Sequence, residues 1–332
     1  MLTYLARRIL TMAMTLLVIS ALVFVIIQLP PGDYLSTYMA ELASQGEAAA
    51  QEKVQYLREQ YGLDRPLIEQ YGRWVLGLLH GDMGYSFEYN KPVSEVVGDR
   101  LLLTVILNFC TVLFVYVVSF PIGVLAATRQ YSWTDYGLSF IGLLGLATPN
   151  FLLALILMYL ANVTFGTSIG TLMAPEYINQ PWSLAKVGSV LAHLWIPVLV
   201  IGTSGTAGMI RRLRANLLDE LQKQYVVTGR AKGLPPGKLL RKYPLRMALN
   251  PFIADIGNLL PSVIGGSVIV SAVMSLQTTG PVLLRALQSQ DMYLAGSFLM
   301  FLALLTVFGM FVSDILLALL DPRIRLQGRS PR

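Results

Sequence analysis

The run LLLTVILNFCTVLFVYVVSFPIGVLAA, Leu101–Ala127, contains no charged side chain in 27 positions. At about 1.5 Å of rise per residue, a helix of this length crosses a hydrocarbon core of about 30 Å. Helix is the form a bilayer permits here, because a spanning segment must satisfy its own backbone hydrogen bonds and the alternating pattern of barrel strands is absent. Five further stretches read the same way: Ile9–Leu29, Tyr136–Ala161, Val187–Met209, Phe252–Ser275 and Leu294–Leu320. The sequence therefore predicts an all-α polytopic membrane protein with six transmembrane helices.

Composition points in the same direction. Of 332 residues, 55% are apolar or aromatic and 13% charged, roughly half the charged share of an ordinary soluble domain. That balance excludes a water-soluble globule, a disordered chain and a small disulfide scaffold. The single cysteine, Cys110, lies inside the quoted run, where it reads as a small buried thiol. The first span follows Arg7 and Arg8, as a signal peptide would. Its 21 residues exceed the usual apolar region of such a signal, and LPPGD (Leu29–Asp33) stands where a small-residue cleavage site belongs, so an uncleaved anchor is expected.

The scarce charges set the orientation. Met209–Pro251 holds ten Lys and Arg against Asp219 and Glu220, whereas Pro30–Arg100 holds six basic residues against eleven acidic. By the positive-inside rule both termini and the basic loop are expected in the cytoplasm and the acidic segment outside. The net charge of +6 is thereby accounted for by topology, and no nucleic-acid partner is expected. The expected divisions are 1–29 (N-terminus and first span), 30–100 (a helical extracytoplasmic insertion), 101–320 (five spans, with a cytoplasmic loop at 210–251) and 321–332 (a cytoplasmic tail).

Within the external segment, Glu47–Tyr61 has Val54, Leu57 and Tyr61 on one helical stripe, and Gly62 ends it. DRPLIEQYGRWVLGLL then opens a second helix that carries Tyr71 and Trp74 as candidate interfacial anchors. In the cytoplasmic loop, Leu221, Tyr225 and Thr228 recur at helical spacing up to Lys232, before Gly233 and PPG (Pro235–Gly237) stop the helix. KLLRKYPLRMALNP opens another amphipathic piece. Two short helices joined by a sharp break suit a protein-docking surface or a helix lying among lipid headgroups, and periodicity alone does not separate these.

Enzyme motifs are missing. GLPPGK (Gly233–Lys238) has the wrong spacing for a phosphate-binding loop, and the two histidines, His80 and His193, are far apart in the chain. Asp255, Asn258, Asp314, Asn108 and His193 fall within spans, where polar groups face a cavity or a partner. Asp255 and Asp314 could carry protons in an autonomous ion-coupled carrier, the alternative function; Arg246 or Arg323 could instead pair with them. Pro121, Pro149, Pro197 and Pro261, with Gly142, Gly145, Gly265 and Gly266, permit kinks and close helix contacts.

YVVTGRAKGL (Tyr225–Leu234) resembles the cytoplasmic EAA loop of binding-protein-dependent ABC transporter permeases, in the dipeptide/oligopeptide branch. YLARRIL (Tyr4–Leu10), LREQYGLDRPLIEQYGRW (Leu57–Trp74), GDMGYSF (Gly81–Phe87), PVSEVVGDRLLLTV (Pro92–Val105), LATPNFLLALILMYL (Leu146–Leu160) and DPRIRL (Asp321–Leu326) resemble that branch's first permease subunit in the same order. The resemblance implies a type I importer membrane domain in a bacterial or archaeal inner membrane, with no catalytic residue or cofactor of its own. It implies a second permease subunit as a heterodimer partner, two cytoplasmic ATPases that bind ATP and Mg, and an external solute-binding protein. Carried onto this chain, Thr228, Arg230, Ala231, Lys232, Gly233 and Leu234 would form the ATPase-coupling element, with Leu234 and Leu239 supplying apolar contacts. The chain departs from the family pattern at Gly229 and Pro244, where Ala is usual, and across Ser271–Leu287, where Ser271, Met274 and Thr279-Gly280 replace an acidic and aromatic-Pro-Gly pattern. The implied solute is an extended polar molecule, a peptide or an oligosaccharide.

Overall fold

In the computed structural model, which describes residues 2–29, 34, 35, 39, 50–98, 100–166, 171–178 and 180–320, the charge-free run around Leu107 is one helix, Arg100–Thr128, continuous through Pro121. In chain order the helices are α1 (Leu2–Gln28), α2 (Ala50–Tyr61), α3 (Leu67–Leu79), α4 (Val93–Val97), α5 (Arg100–Thr128), α6 (Trp133–Ala147), α7 (Asn150–Phe165) and α8 (Leu184–His193). They continue as α9 (Trp195–Leu221), α10 (Gln224–Ala231), α11 (Pro236–Lys242), α12 (Pro244–Ala254), α13 (Ile256–Val273), α14 (Thr279–Gln288) and α15 (Met292–Leu320). Strands β1 (Tyr85–Ser86) and β2 (Lys91–Pro92) form a minimal antiparallel hairpin, pairing Tyr85 with Pro92 and Ser86 with Lys91.

Four helices are individually long and apolar enough to cross a membrane: Leu5–Gln28, Arg100–Thr128, Ile256–Val273 and Met292–Leu319. The other two expected spans are broken. Trp133–Ala147 and Asn150–Thr164 meet at 101°, and Leu184–His193 and Trp195–Leu221 at 46°. Tyr136–Ala161 is therefore two helices, not one. The residue before a proline is driven out of the helical region, and Thr148 is extended at φ −83°, ψ 120° beside Pro149. Farther along, Pro197 offers no N–H to the His193 carbonyl, and the axis turns there. Among the described residues, the helices long and apolar enough to span number four, or up to six if each bent pair is one span.

The chain forms two compact units. The first contains the chain up to Arg8, Leu103–Gln277 and the chain from Phe308. Its core has Leu107, Val115, Ile196, Val200, Leu213 and Leu217 fully buried. The helices approach closely because two glycines leave room. A Cβ on Gly145 would lie 2.6 Å from Thr203, and one on Gly202 2.6 Å from Phe114. Leu113, Val117, Leu155 and Tyr159 are exposed, as lipid-facing side chains would be.

The second unit contains Ile9–Leu102 and Thr278–Val307. Val54 of α2 is buried, while the side chains of Leu57 and Tyr61 lie outside the described residues. Gly62, at φ 67°, ends α2 as its left-handed backbone requires. Trp74 is not an interfacial anchor. Only 5% exposed, it packs with Phe24 and Tyr71, its ring centroid 6.0 and 6.5 Å from theirs. The aromatic cluster uses its area for packing within the unit.

The polar centre of this unit is Asp291, which has no solvent exposure and precedes α15. Its Oδ2 accepts from Ser86 Oγ at 2.7 Å and from the Glu88 N–H at 3.1 Å, and its Oδ1 from the Leu294 N–H at 3.3 Å. One carboxylate thus ties the β-hairpin to a helix start. Removing it leaves three donors unsatisfied, so Asp291→Ala should cost about 3 kcal/mol or more, read as a lower thermal midpoint in detergent. Burial is the main cause of a carboxyl pKa above its ordinary value of 3.8, against the lowering effect of these hydrogen bonds. As pH rises from 3.8, the folded chain therefore keeps a proton that the unfolded chain has released, and this group's contribution to stability falls. Asp291→Asn should flatten that part of the stability-pH curve; an unchanged slope would show that another group sets it.

Candidate functional site

The acid-free stretch between Leu221 and Asp255 holds seven basic residues: Lys223, Arg230, Lys232, Lys238, Arg241, Lys242 and Arg246. It folds as three helices. The expected helix through Asp219–Lys232 is interrupted, because α9 ends at Leu221 and α10 starts at Gln224. KLLRKYPLRMALNP is likewise split, with Pro244 opening α12 at its first turn, a position that needs no N–H.

The buried stripe of α10 is Val226 and Gly229, not Tyr225 and Thr228, which are exposed. Leu239 of α11 lies on that stripe. A Cβ on Gly229 would be 2.6 Å from Leu239 Cδ1, so glycine at this departure from the family pattern lets the two helices touch. Leu239 is only 4% exposed and cannot serve as an outward apolar contact; it holds the hairpin together from within. Leu234 is half-buried beside it.

Gly233 closes α10. At φ 75° it takes the left-handed conformation that side chains resist, its N–H bonds the Arg230 carbonyl at 3.0 Å, and the Leu234 N–H bonds the Gly229 carbonyl at 3.2 Å. This is a Schellman cap, and Pro235 and Pro236 behind it start α11 at once. Thr228, Arg230, Ala231, Lys232 and Gly233 are all exposed around this turn, with Val227 51% exposed among them. A rigid, basic ridge with an apolar element results.

The ridge is braced at its base. Tyr225 donates its hydroxyl to Glu220, and its ring lies 6.4 Å from that of Tyr243 at the start of α12. Burial first, and the Glu220 carboxylate second, push the Tyr225 phenol well above its ordinary range, so it remains a donor at any physiological pH.

The polar residues expected at membrane depth are paired. Asp255, which stands between α12 and α13, binds Arg212 of α9, not Arg246, and also accepts from Asn258 Nδ2 at 3.1 Å. Asp314 of α15 binds Arg8 at 2.9 Å; Arg323, the other partner considered, lies outside the described residues. Sequence reasoning weighed only neighbours in the chain, and both partners are distant in it. His193 Nδ1 is 2.7 Å from the Ser189 carbonyl of its own helix, which calls for the tautomer protonated there. Asn108 likewise donates to the Thr104 carbonyl one turn back, at 2.8 Å.

Two charged residues escaped the sequence reading. Asp135, 2% exposed, takes a bidentate bond from Arg214, with Nε 2.7 Å from Oδ1 and Nη2 2.6 Å from Oδ2. It also accepts from the Tyr131 N–H at 3.1 Å. Lys186, fully buried, donates to the Gln180 carbonyl at 2.8 Å and lies 4.8 Å from the Trp182 ring. An Arg-rich RRLR run at 211–214 was the available signal for the first; nothing local marked the second. Among the described residues no three His, Cys, Asp or Glu side chains gather as a metal site.

Comparisons extend over nearly the whole chain. The family described as "Binding-protein-dependent transport system inner membrane component" matches residues 119–326, and the N-terminal region of such membrane components matches residues 1–108. The oligopeptide transport system permease protein AppB of Bacillus subtilis is 35% identical over 325 residues, covering 98% of this chain and 99% of its own. A Brucella ovis protein named as a peptide permease is 30% identical over 329 residues, covering 98% and 100%. The nickel import system permease protein NikB of Staphylococcus aureus is 28% identical over 326 residues, covering 98% and 92%.

Proposed function

Because the chain belongs to the inner-membrane components of binding-protein-dependent transport systems, and is thus a permease subunit of an ABC importer, we propose that its α10–Gly233–α11 ridge is the element that docks on the ATPases. The observation that carries this reading is the exposed basic ridge around Gly233, built on the buried Val226, Gly229 and Leu239 contact. Thr228, Arg230, Ala231, Lys232 and Gly233 form the contacting surface, and its charge suits a groove with acidic or polar walls. Leu234 contributes from the side of the turn.

In this reading the chain forms half of a translocation path with a second permease subunit, a heterodimer partner. Two cytoplasmic ATPases bind ATP and Mg and perform the hydrolysis, and an external binding protein delivers solute. This chain does no covalent chemistry; it switches between packed arrangements as the ATPases close. Both termini and the ridge lie in the cytoplasm, as the basic bias of the loop supports. Relatives named for oligopeptide and peptide transport support a peptide as solute. The autonomous carrier would need Asp255 and Asp314 as free ionisable groups, and each is held in an ion pair.

Reconstitution with the ATPases, partner permease and binding protein tests the assignment. Peptide-dependent ATP hydrolysis should require this chain. Gradient-driven uptake by the chain alone would overturn the reading. Thermal stabilisation of the binding protein by oligosaccharides and not by peptides would overturn the solute assignment only.

A further inference from the structure

Where α12 gives way to α13, the last carbonyls of α12 cannot all find partners within the helix, and in an apolar medium each open carbonyl is costly. Here two hydroxyl donors from other helices reach three of them. The Phe252 carbonyl accepts from Tyr116 Oη of α5 at 3.0 Å. The Ile253 and Ala254 carbonyls share Ser313 Oγ of α15, at 3.2 and 3.5 Å. The next residue, Asp255, takes Arg212 of α9. Phe252 is 3% exposed and meets the Tyr116 ring edge-on at 4.9 Å. Three helices therefore grip one four-residue break.

The break has a definite place in the chain. Arg212 and Asp255 lie 43 residues apart, and everything between them is the end of α9, the ridge and α12. The pair thus closes the base of the whole coupling segment. Helix α12 itself buries Pro244, Ala248 and Phe252 on one stripe and packs along α9. Two positions from Arg212, on the opposite side of α9, Arg214 holds Asp135 of α6.

We propose that residues 252–255 are the pivot through which motion of the ridge is delivered to the spans, with Tyr116, Arg212 and Ser313 as positioning residues; this rests on the docking role of the ridge. Tyr116 and Ser313 hold the open carbonyls while α12 tilts, and Arg212 makes α9 and α13 follow the same tilt. Each of the three acts through the backbone or side chain it holds. Their loss should separate ATP hydrolysis from transport without dismantling the assembly.

The experiment uses the complete complex in proteoliposomes, carrying Arg212→Gln, Arg212→Lys or the pair Tyr116→Phe with Ser313→Ala. Assembled complex and basal ATP hydrolysis should stay within about twofold of wild type, while peptide transported per ATP hydrolysed falls about tenfold in Arg212→Gln and in the double variant. Arg212→Lys, which keeps the charge, should retain about half of the wild-type ratio. An unchanged ratio in Arg212→Gln and the double variant overturns the pivot. So does a parallel fall in complex yield, basal hydrolysis and transport, the sign of a merely structural role. Wild-type uptake by a complex carrying Gly233→Pro would instead overturn the docking role on which the pivot depends.

Discussion

Replacing Arg214 by alanine is expected to destabilise the protein by about 3–5 kcal/mol, the cost of leaving a buried carboxylate without its partner. Asp135 is 2% exposed and both of its oxygens are engaged by one guanidinium. Arg214→Ala removes both bonds and leaves the buried carboxylate with the Tyr131 N–H at 3.1 Å and the Ser139 hydroxyl at 3.5 Å. Pairing that change with Asp135→Leu should recover most of the loss, because the desolvated charge goes with it. Thermal midpoints of wild type, the two single variants and the double variant in detergent measure the coupling. A single Arg214→Ala variant as stable as wild type would show that water reaches Asp135.

The second large effect is on transport. Gly233→Pro should abolish ATP-driven uptake, by about a hundredfold or more, because misplacing a docking element by about 1 Å is enough for such a loss. Proline fixes φ near −65°, whereas Gly233 stands at 75°, and proline also removes the N–H that reaches the Arg230 carbonyl. Gly233→Asn is the control, since asparagine tolerates the left-handed region and keeps the N–H. Uptake should survive in that variant. Wild-type uptake by Gly233→Pro would remove the capped turn from the coupling element.

Much of this architecture is legible in the chain because bilayer physics is local. Twenty or so apolar residues in a row declare a span, and the Leu101–Ala127 run is one helix as expected. The turn at Gly233 is legible for the same reason, since glycine followed by two prolines leaves few backbone choices. Pro149 was visible too, but a proline inside an apolar run signals either a tolerated kink or a break. Packing around α6 and α7 decides that, and the two meet at 101°.

The distribution of contacts along the chain explains the rest. Arg212 and Asp255 are 43 residues apart, and Arg8 and Asp314 are 306 apart. Charge alone offers every arginine to every aspartate, and only the assembled helices choose among them. Leu239 shows the complementary limit. Its apolar side chain fits an outward contact as well as an inward one until the missing Cβ of Gly229 is seen to make room for it.

Those long separations also impose an order on biogenesis. Asp135 is synthesised 79 residues before Arg214. At about 5–20 residues per second, its partner arrives about 4–16 s later. An unpaired buried carboxylate is costly, so α6 reaches its final packing only once α9 has been made. Arg8 likewise precedes Asp314 by 306 residues, so that pair forms only once α15 has been made.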